Sequence, residues 1–165
     1  MRDPDLTARG QDQCHRLASE FPYHASTSLL VSSPLRRTIR TALIGFAPEI
    51  ERGLRIIALP EAQETSDLSC DVGSEPELLE QEFEPSKVDL DLVQKGWNSK
   101  TGKWANSKTA LKARAKEVRQ WLKARPEEQI VLVTHGGFLH FITEDWTGKD
   151  KHPGWCTPHK CGACY

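Results

Sequence analysis

Residues 130–146 read IVLVTHGGFLHFITEDW, and this stretch decides how the chain is read. Four apolar residues lead straight into Thr134, His135 and two glycines. A short, partly β-branched apolar run bounded by glycine predicts a buried strand over 129–134. The spacing that follows predicts a helix over 137–145. The chain thus delivers a histidine to the carboxyl end of a strand. It then leaves two positions, Gly136 and Gly137, without side chains, so that backbone can approach whatever His135 touches. A helix start attracts anions. The same residues also suit a semi-buried histidine followed by a simple turn, and the motif by itself does not choose between the two.

Working outward, a second segment has the same design. SSPLRRTIRTA (32–42) follows the apolar run SLLVS (28–32), itself a predicted buried strand, and opens a helix. Ser33 is the expected N-cap, with Pro34 at the first helical position. Leu35, Ile39, Ala42, Leu43 and Phe46 share one helical side. Arg36, Arg37 and Arg40 then fall in or near the first turns, where cations oppose the helix dipole. Arginine in that place suggests a bound anion, because guanidinium matches phosphate oxygens two at a time. Three solvent-exposed arginines are the plainer alternative.

The rest of the chain alternates. A helix is predicted over 7–21, with Cys14, Leu17, Ala18 and Phe21 on one face. A strand is predicted over 54–59. Residues 60–76, rich in Glu, Ser, Asp and Gly, read as a long loop, a length that is more often functional than idle. Residues 85–108, including KGWNSKTGKWANSK, read as surface loop with the Trp97 and Trp104 rings packed down. A helix over 107–125 turns Leu111, Ala115, Val118 and Leu122 inward and its Lys and Arg outward as a solvated face. This order predicts an α/β fold: a three-layer sandwich with a mostly parallel central sheet and helices on both faces. Ligands of such sheets bind at the carboxyl ends of the strands.

Composition bounds the rest. The chain has 165 residues, 38% hydrophobic and 27% charged, with a net charge of -1. That suits one domain with a real core and gives no bias toward nucleic acid or an anionic membrane. No apolar run nears the ~18 residues of a membrane span, and the polar start MRDPDLTARG does not read as a secretory signal. Five scattered cysteines read as reduced, which leads us to expect a cytoplasmic protein.

VTHGGFLH and SSPLRRTIRTA resemble two motifs of the histidine phosphatase superfamily, the phosphoglycerate mutase-like proteins, with the look of fungal members. DPDLTARGQDQC resembles the family's Leu-Thr-x-x-Gly-x-x-Gln segment at Leu6, Thr7, Gly10 and Gln13. LPEAQETSDLSCDVGS resembles the loop that holds the family's acidic residue, which aligns best on Glu64, with Glu61 as a competing candidate. The resemblance implies a phosphate pocket containing Arg37, His135 and Gly136. In it His135 donates to phosphate oxygens and Glu64 protonates the leaving oxygen. It implies no cofactor and no metal. The expected partner is a small phosphorylated or anionic substrate.

The chain also departs from that family. Its members carry a first strand ending in Arg-His-Gly or Arg-His-Ala, whose histidine is the nucleophile. No Arg-His dipeptide occurs in these 165 residues, and Met1 stands just before the Leu-Thr segment. We therefore expect a phosphoglycerate mutase-like domain over 1–150, shortened at its N-terminus and lacking the family's first strand. Exposed apolar surface or strand edge should result, which a homodimer could cover. Weak or absent phosphomonoesterase activity follows. The alternatives are a repurposed acid/base enzyme on a small anionic metabolite and a non-catalytic binder of a phospho-ligand or partner. Residues 151–165 form a divergent tail in which Cys156, His159, Cys161 and Cys164 crowd into nine residues. Such crowding is a poor match to paired zinc knuckles. Metal analysis of the purified protein should give no stoichiometric zinc; about one chelator-removable zinc per chain would overturn this reading.

Overall fold

A computed structural model describes residues 1–147 of the chain. The Cys/His tail lies outside them. The centre is β1 (Leu29–Ser32), buried along its whole length. It pairs in parallel with β2 (Ile56–Ala58) on one side and with β4 (Ile130–Val133) on the other. β2 also pairs in parallel with β3 (Val88–Asp89), giving a four-stranded sheet of order β3-β2-β1-β4. The expected mostly parallel sheet is thus parallel throughout.

Successive β1 side chains point to opposite faces, and each face meets its own helices. Leu30 joins a core with Leu35, Ile39, Ala42 and Phe46 on and around α2 (Arg36–Gly45), and with Leu79 of α4 (Pro76–Glu82). Leu29 and Val31 pack with Ala115 and Val118 of α5 (Lys108–Lys123) and Phe138 of α6 (Gly136–Thr143). Each large apolar side chain so enclosed stabilises the fold by about 1.5–3 kcal/mol relative to exposure. α1 (Ala8–Glu20) lies on α2, where Leu17 comes so close that a Cβ on Gly45 would stand 2.9 Å from its Cδ2. A short α3 (Ala47–Glu51) leads from α2 toward β2. This is the expected three-layer sandwich.

Four expectations need correction. Ser33 does not cap α2: the N-cap is Leu35, without a side-chain bond, and the helix begins at Arg36. Residues 85–108 are not merely surface loop, because they supply β3 and bury Trp97 to 1% exposure. The Lys and Arg of α5 are not all solvated, since Arg114 is also 1% exposed. Finally, β4 is not a fully buried strand. Among the described residues it pairs on one side only, so all four of its residues are partly exposed. Among the described residues β4 is one edge of the sheet and β3 is the other.

The cap that α2 lacks locally comes from 33 residues upstream. Asp3 Oδ1 accepts from the Arg36 N–H at 3.0 Å, and Oδ2 accepts from the Ser74 N–H at 2.8 Å. Asp3 is 1% exposed and has φ +43°, a left-handed backbone that aspartate tolerates better than most residues. Burial pushes its carboxyl above the usual carboxylate range, against the bonds from Ser74 and Arg36. One side chain thus ties the N-terminal segment, the start of α2 and the loop before α4. Asp3→Ala should cost about 2–4 kcal/mol in urea denaturation, because two sheltered N–H groups lose their acceptor. Asp3→Asn, which keeps one acceptor oxygen, should cost less. A midpoint unchanged in Asp3→Ala would show that the tie contributes nothing.

Candidate functional site

Ser32 stands opposite Val133 in the β1–β4 ladder, and the Ser33 N–H extends it to the Val133 carbonyl at 2.9 Å. The residues that leave these two strands therefore emerge side by side. His135, the extended N-cap of α6, is 6% exposed. Its Nε2 lies 2.9 Å from Ser33 Oγ and its Nδ1 lies 3.2 Å from Arg37 Nη2. A guanidinium can only donate, so Nδ1 accepts and the ring proton sits on Nε2, donated to Ser33. Burial holds the imidazole well below the usual histidine range, and the cations Arg37, Lys100 and Arg114 push the same way.

Arg37 also donates to the Cys70 carbonyl at 2.7 Å and to Asp71 Oδ1 at 2.8 Å. Asp71 in turn accepts from Ser66 Oγ. The loop between β2 and α4 thus wraps the guanidinium. Arg36 and Arg40 turn away from it. Both bind Glu82 on α4, and both approach Asp5. Of the three arginines that suggested an anion, only Arg37 faces His135.

The two glycines now have separate roles. Gly136 opens α6. A Cβ on Gly137 would stand 2.6 Å from Glu64 Oε1 and 2.9 Å from Thr65 Oγ1. Glycine at 137 is what lets the Glu64 carboxyl settle over the first turn of α6. Glu61 sits elsewhere. It binds Lys103 at 2.7 Å, which also binds Glu117, beside a groove lined by Leu59, Val118 and Trp121.

Two further cations at this site were not singled out in the sequence. Arg114 Nη2 donates to the Gln63 and Glu64 carbonyls at 3.0 and 3.3 Å, with its guanidinium over the Phe138 ring at 4.4 Å. The signal for it was present: Arg114 follows Leu111 by three and precedes Val118 by four, which places it on the inward stripe of α5. Lys100 Nζ donates to the Glu64 carbonyl at 3.3 Å. Its loop has no periodicity from which that position could have been read. Among the described residues no group of three or more His, Cys, Asp or Glu could hold a metal ion. None of the described helices is long and apolar enough to cross a membrane.

The buried neutral His135 has a consequence for stability. Its folded-state pKa is depressed, so only the unfolded chain takes up this proton as pH falls below about 6.5. The stability it contributes is present above that value and is lost as pH falls toward the folded value. The slope approaches about 1.4 kcal/mol per pH unit for one proton. Urea denaturation at pH 7.5 and 5.5 should show a smaller loss in His135→Gln than in the parent. Equal losses would mean that the ring is protonated inside the fold.

The chain is similar to known proteins. The chain is 28% identical over 146 residues to a Schizosaccharomyces pombe protein named as a probable phosphatase, covering 81% of this chain. It is also 28% identical over 182 aligned positions to phosphoglycerate mutase-like protein 1 of Arabidopsis thaliana, covering 92% of this chain. In each case the match spans 63% of the relative's own length. The model of the histidine phosphatase superfamily, branch 1, matches residues 1–165. This chain therefore belongs to the histidine phosphatase superfamily, branch 1.

Proposed function

We propose that the pocket at the carboxyl ends of β1 and β4 binds the phosphate group of a small phosphorylated substrate. We further propose that the chain as given is weak or inactive as a phosphomonoesterase. One observation carries the reading: Arg37 lies against a neutral His135, beside the start of α6 and two more sheltered cations. A phosphate dianion offers Arg37 two oxygens in the geometry a guanidinium favours. Taking Arg37 Nη2 away from His135 leaves Nδ1 without its donor. Beside a dianion that nitrogen takes up a proton from solvent and donates it to a phosphate oxygen. Gly136 sits at the start of α6, where backbone dipoles favour the same charge. Glu64, whose carboxyl lies over Gly137, is the group we assign to protonate a leaving oxygen.

Among the described residues, no second histidine joins Arg37 and His135 to take the covalent step. His24 is held between Glu49 and the Ala18 carbonyl. His140 faces the Asp145 carbonyl and stacks on Trp146. His15 is exposed on α1. Loss of a covalent nucleophile costs other enzymes several orders of magnitude in rate, the remainder coming from electrostatic contacts. Calorimetry with inorganic phosphate should give weak binding for the parent and about 10-fold weaker binding for Arg37→Ala, the loss of a charge-assisted contact. Hydrolysis of an aryl phosphate by the same preparation should be near background. Binding indifferent to Arg37→Ala would remove the pocket, and robust turnover that survives His135→Ala would place the chemistry elsewhere.

A further inference from the structure

Two cations at this site share one acceptor. Lys100 Nζ and Arg114 Nη2 each donate to the Glu64 carbonyl oxygen at 3.3 Å, so two like charges are neighbours. Neither has a carboxylate within ion-pair distance among the described residues. Asp71 is bound to Arg37, and the Glu64 carboxyl accepts from the Thr65 N–H. Arg114 is 1% exposed, and its Nε has no hydrogen-bond partner. Lys100 adopts φ +56°, a left-handed conformation that costs energy for a residue with a side chain. The chain therefore holds an unpaired ammonium in a strained place beside an under-neutralised cluster.

We propose that Lys100 is a third cation of the anion pocket, an anion-contacting residue whose ammonium exchanges the Glu64 carbonyl for a phosphate oxygen. This assignment rests on the phosphate reading of the pocket. Burial is the main cause that pushes the Lys100 ammonium down, to about 8, with Arg114 next. Asp71 and Glu64, both on the loop between β2 and α4, oppose this, while Arg37 on α2 adds to it. His135 faces the same cluster as a neutral ring. Anion binding favours the charged form, so affinity falls as pH rises through this range. Arg114 is fixed by its two carbonyls and the Phe138 ring. Lys100, with one long bond, is the cation free to move.

The test is calorimetry with inorganic phosphate at pH 7.5 and 9.5 on the full chain and on Lys100→Arg, Lys100→Gln, Lys100→Gly and Arg37→Ala. The parent should lose about 10-fold in affinity across this range, whereas Lys100→Arg, which stays charged, should lose much less. Comparing these two cancels any titration of phosphate itself. At pH 7.5 both Lys100→Gln and Lys100→Gly should bind about 10-fold more weakly than the parent. Lys100→Gly also relaxes the left-handed backbone, so its melting temperature should not fall, and it decides the matter if Lys100→Gln does not fold. Equal pH slopes in parent and Lys100→Arg would overturn the assignment, as would parent-like binding by Lys100→Gly at pH 7.5. If Arg37→Ala weakens binding and the Lys100 variants do not, only the role of Lys100 is lost. If Arg37→Ala also binds as the parent does, the pocket itself is wrong.

Discussion

The parallel pairing of β1 with β4 is the constraint on which the site depends. These strands lie about 100 residues apart in sequence, yet their register sets Ser32 beside Val133 and continues through Ser33. Ser33 can then accept from His135, and Arg37, the second residue of α2, can reach the other ring nitrogen. A slip of one residue would turn every β4 side chain to the opposite face and carry His135 away from Ser33. Because β1 is paired on both edges and covered on both faces, it has no freedom to slip. His135 is thus positioned by the most enclosed strand of the molecule, although it follows the most open one.

Charge organises what that pairing brings together. The helix and loop ends collect Arg37, Lys100 and Arg114 around a ring that burial keeps neutral. Asp71 answers Arg37, and Glu64 offers its backbone carbonyl to the other two. By contrast Arg36 and Arg40, one residue before Arg37 and three after it, are neutralised by Glu82 and lock α4 to α2. The same cluster of basic residues therefore serves two ends. One arginine is held at the site, and two fasten the structure around it.

The loop from 60 to 76 is long but closely tied. Cys70 and Asp71 bind Arg37, and Ser74 binds Asp3. Gly73 lies under the Trp97 indole, where a Cβ would stand 2.1 Å from the ring. Trp97 returns the contact with its own N–H to the Ser74 carbonyl at 3.2 Å. These bonds hold the backbone that presents Glu64 to α6. Ordering a loop of this length costs conformational entropy, and the buried indole and the buried Asp3 help to offset it.

What the sequence determined by itself was local. Apolar periodicity located α1, β1, α2, β2, α5, β4 and α6 to within a few residues, because each is an apolar strand or a helix with one apolar stripe. Alternation of those elements implied the parallel sheet, and the two strand-to-helix motifs marked Arg36, Arg37, Arg40 and His135 at its carboxyl ends, without separating Arg37 from its two neighbours. A two-residue strand such as β3 carries no alternation, and α4 is too short to show a stripe, so neither was legible. Glu61 and Glu64 stand three residues apart in one loop, and no local rule separates them. Only the packed chain sets Glu64 over Gly137 and gives Glu61 to Lys103. Asp3 as the cap of α2, Arg114 as a buried cation and Lys100 beside it were likewise decided by tertiary structure. The physical reason is the same for all of them: their partners are distant in sequence, and the energy of a charge or a polar group depends on what surrounds it in space.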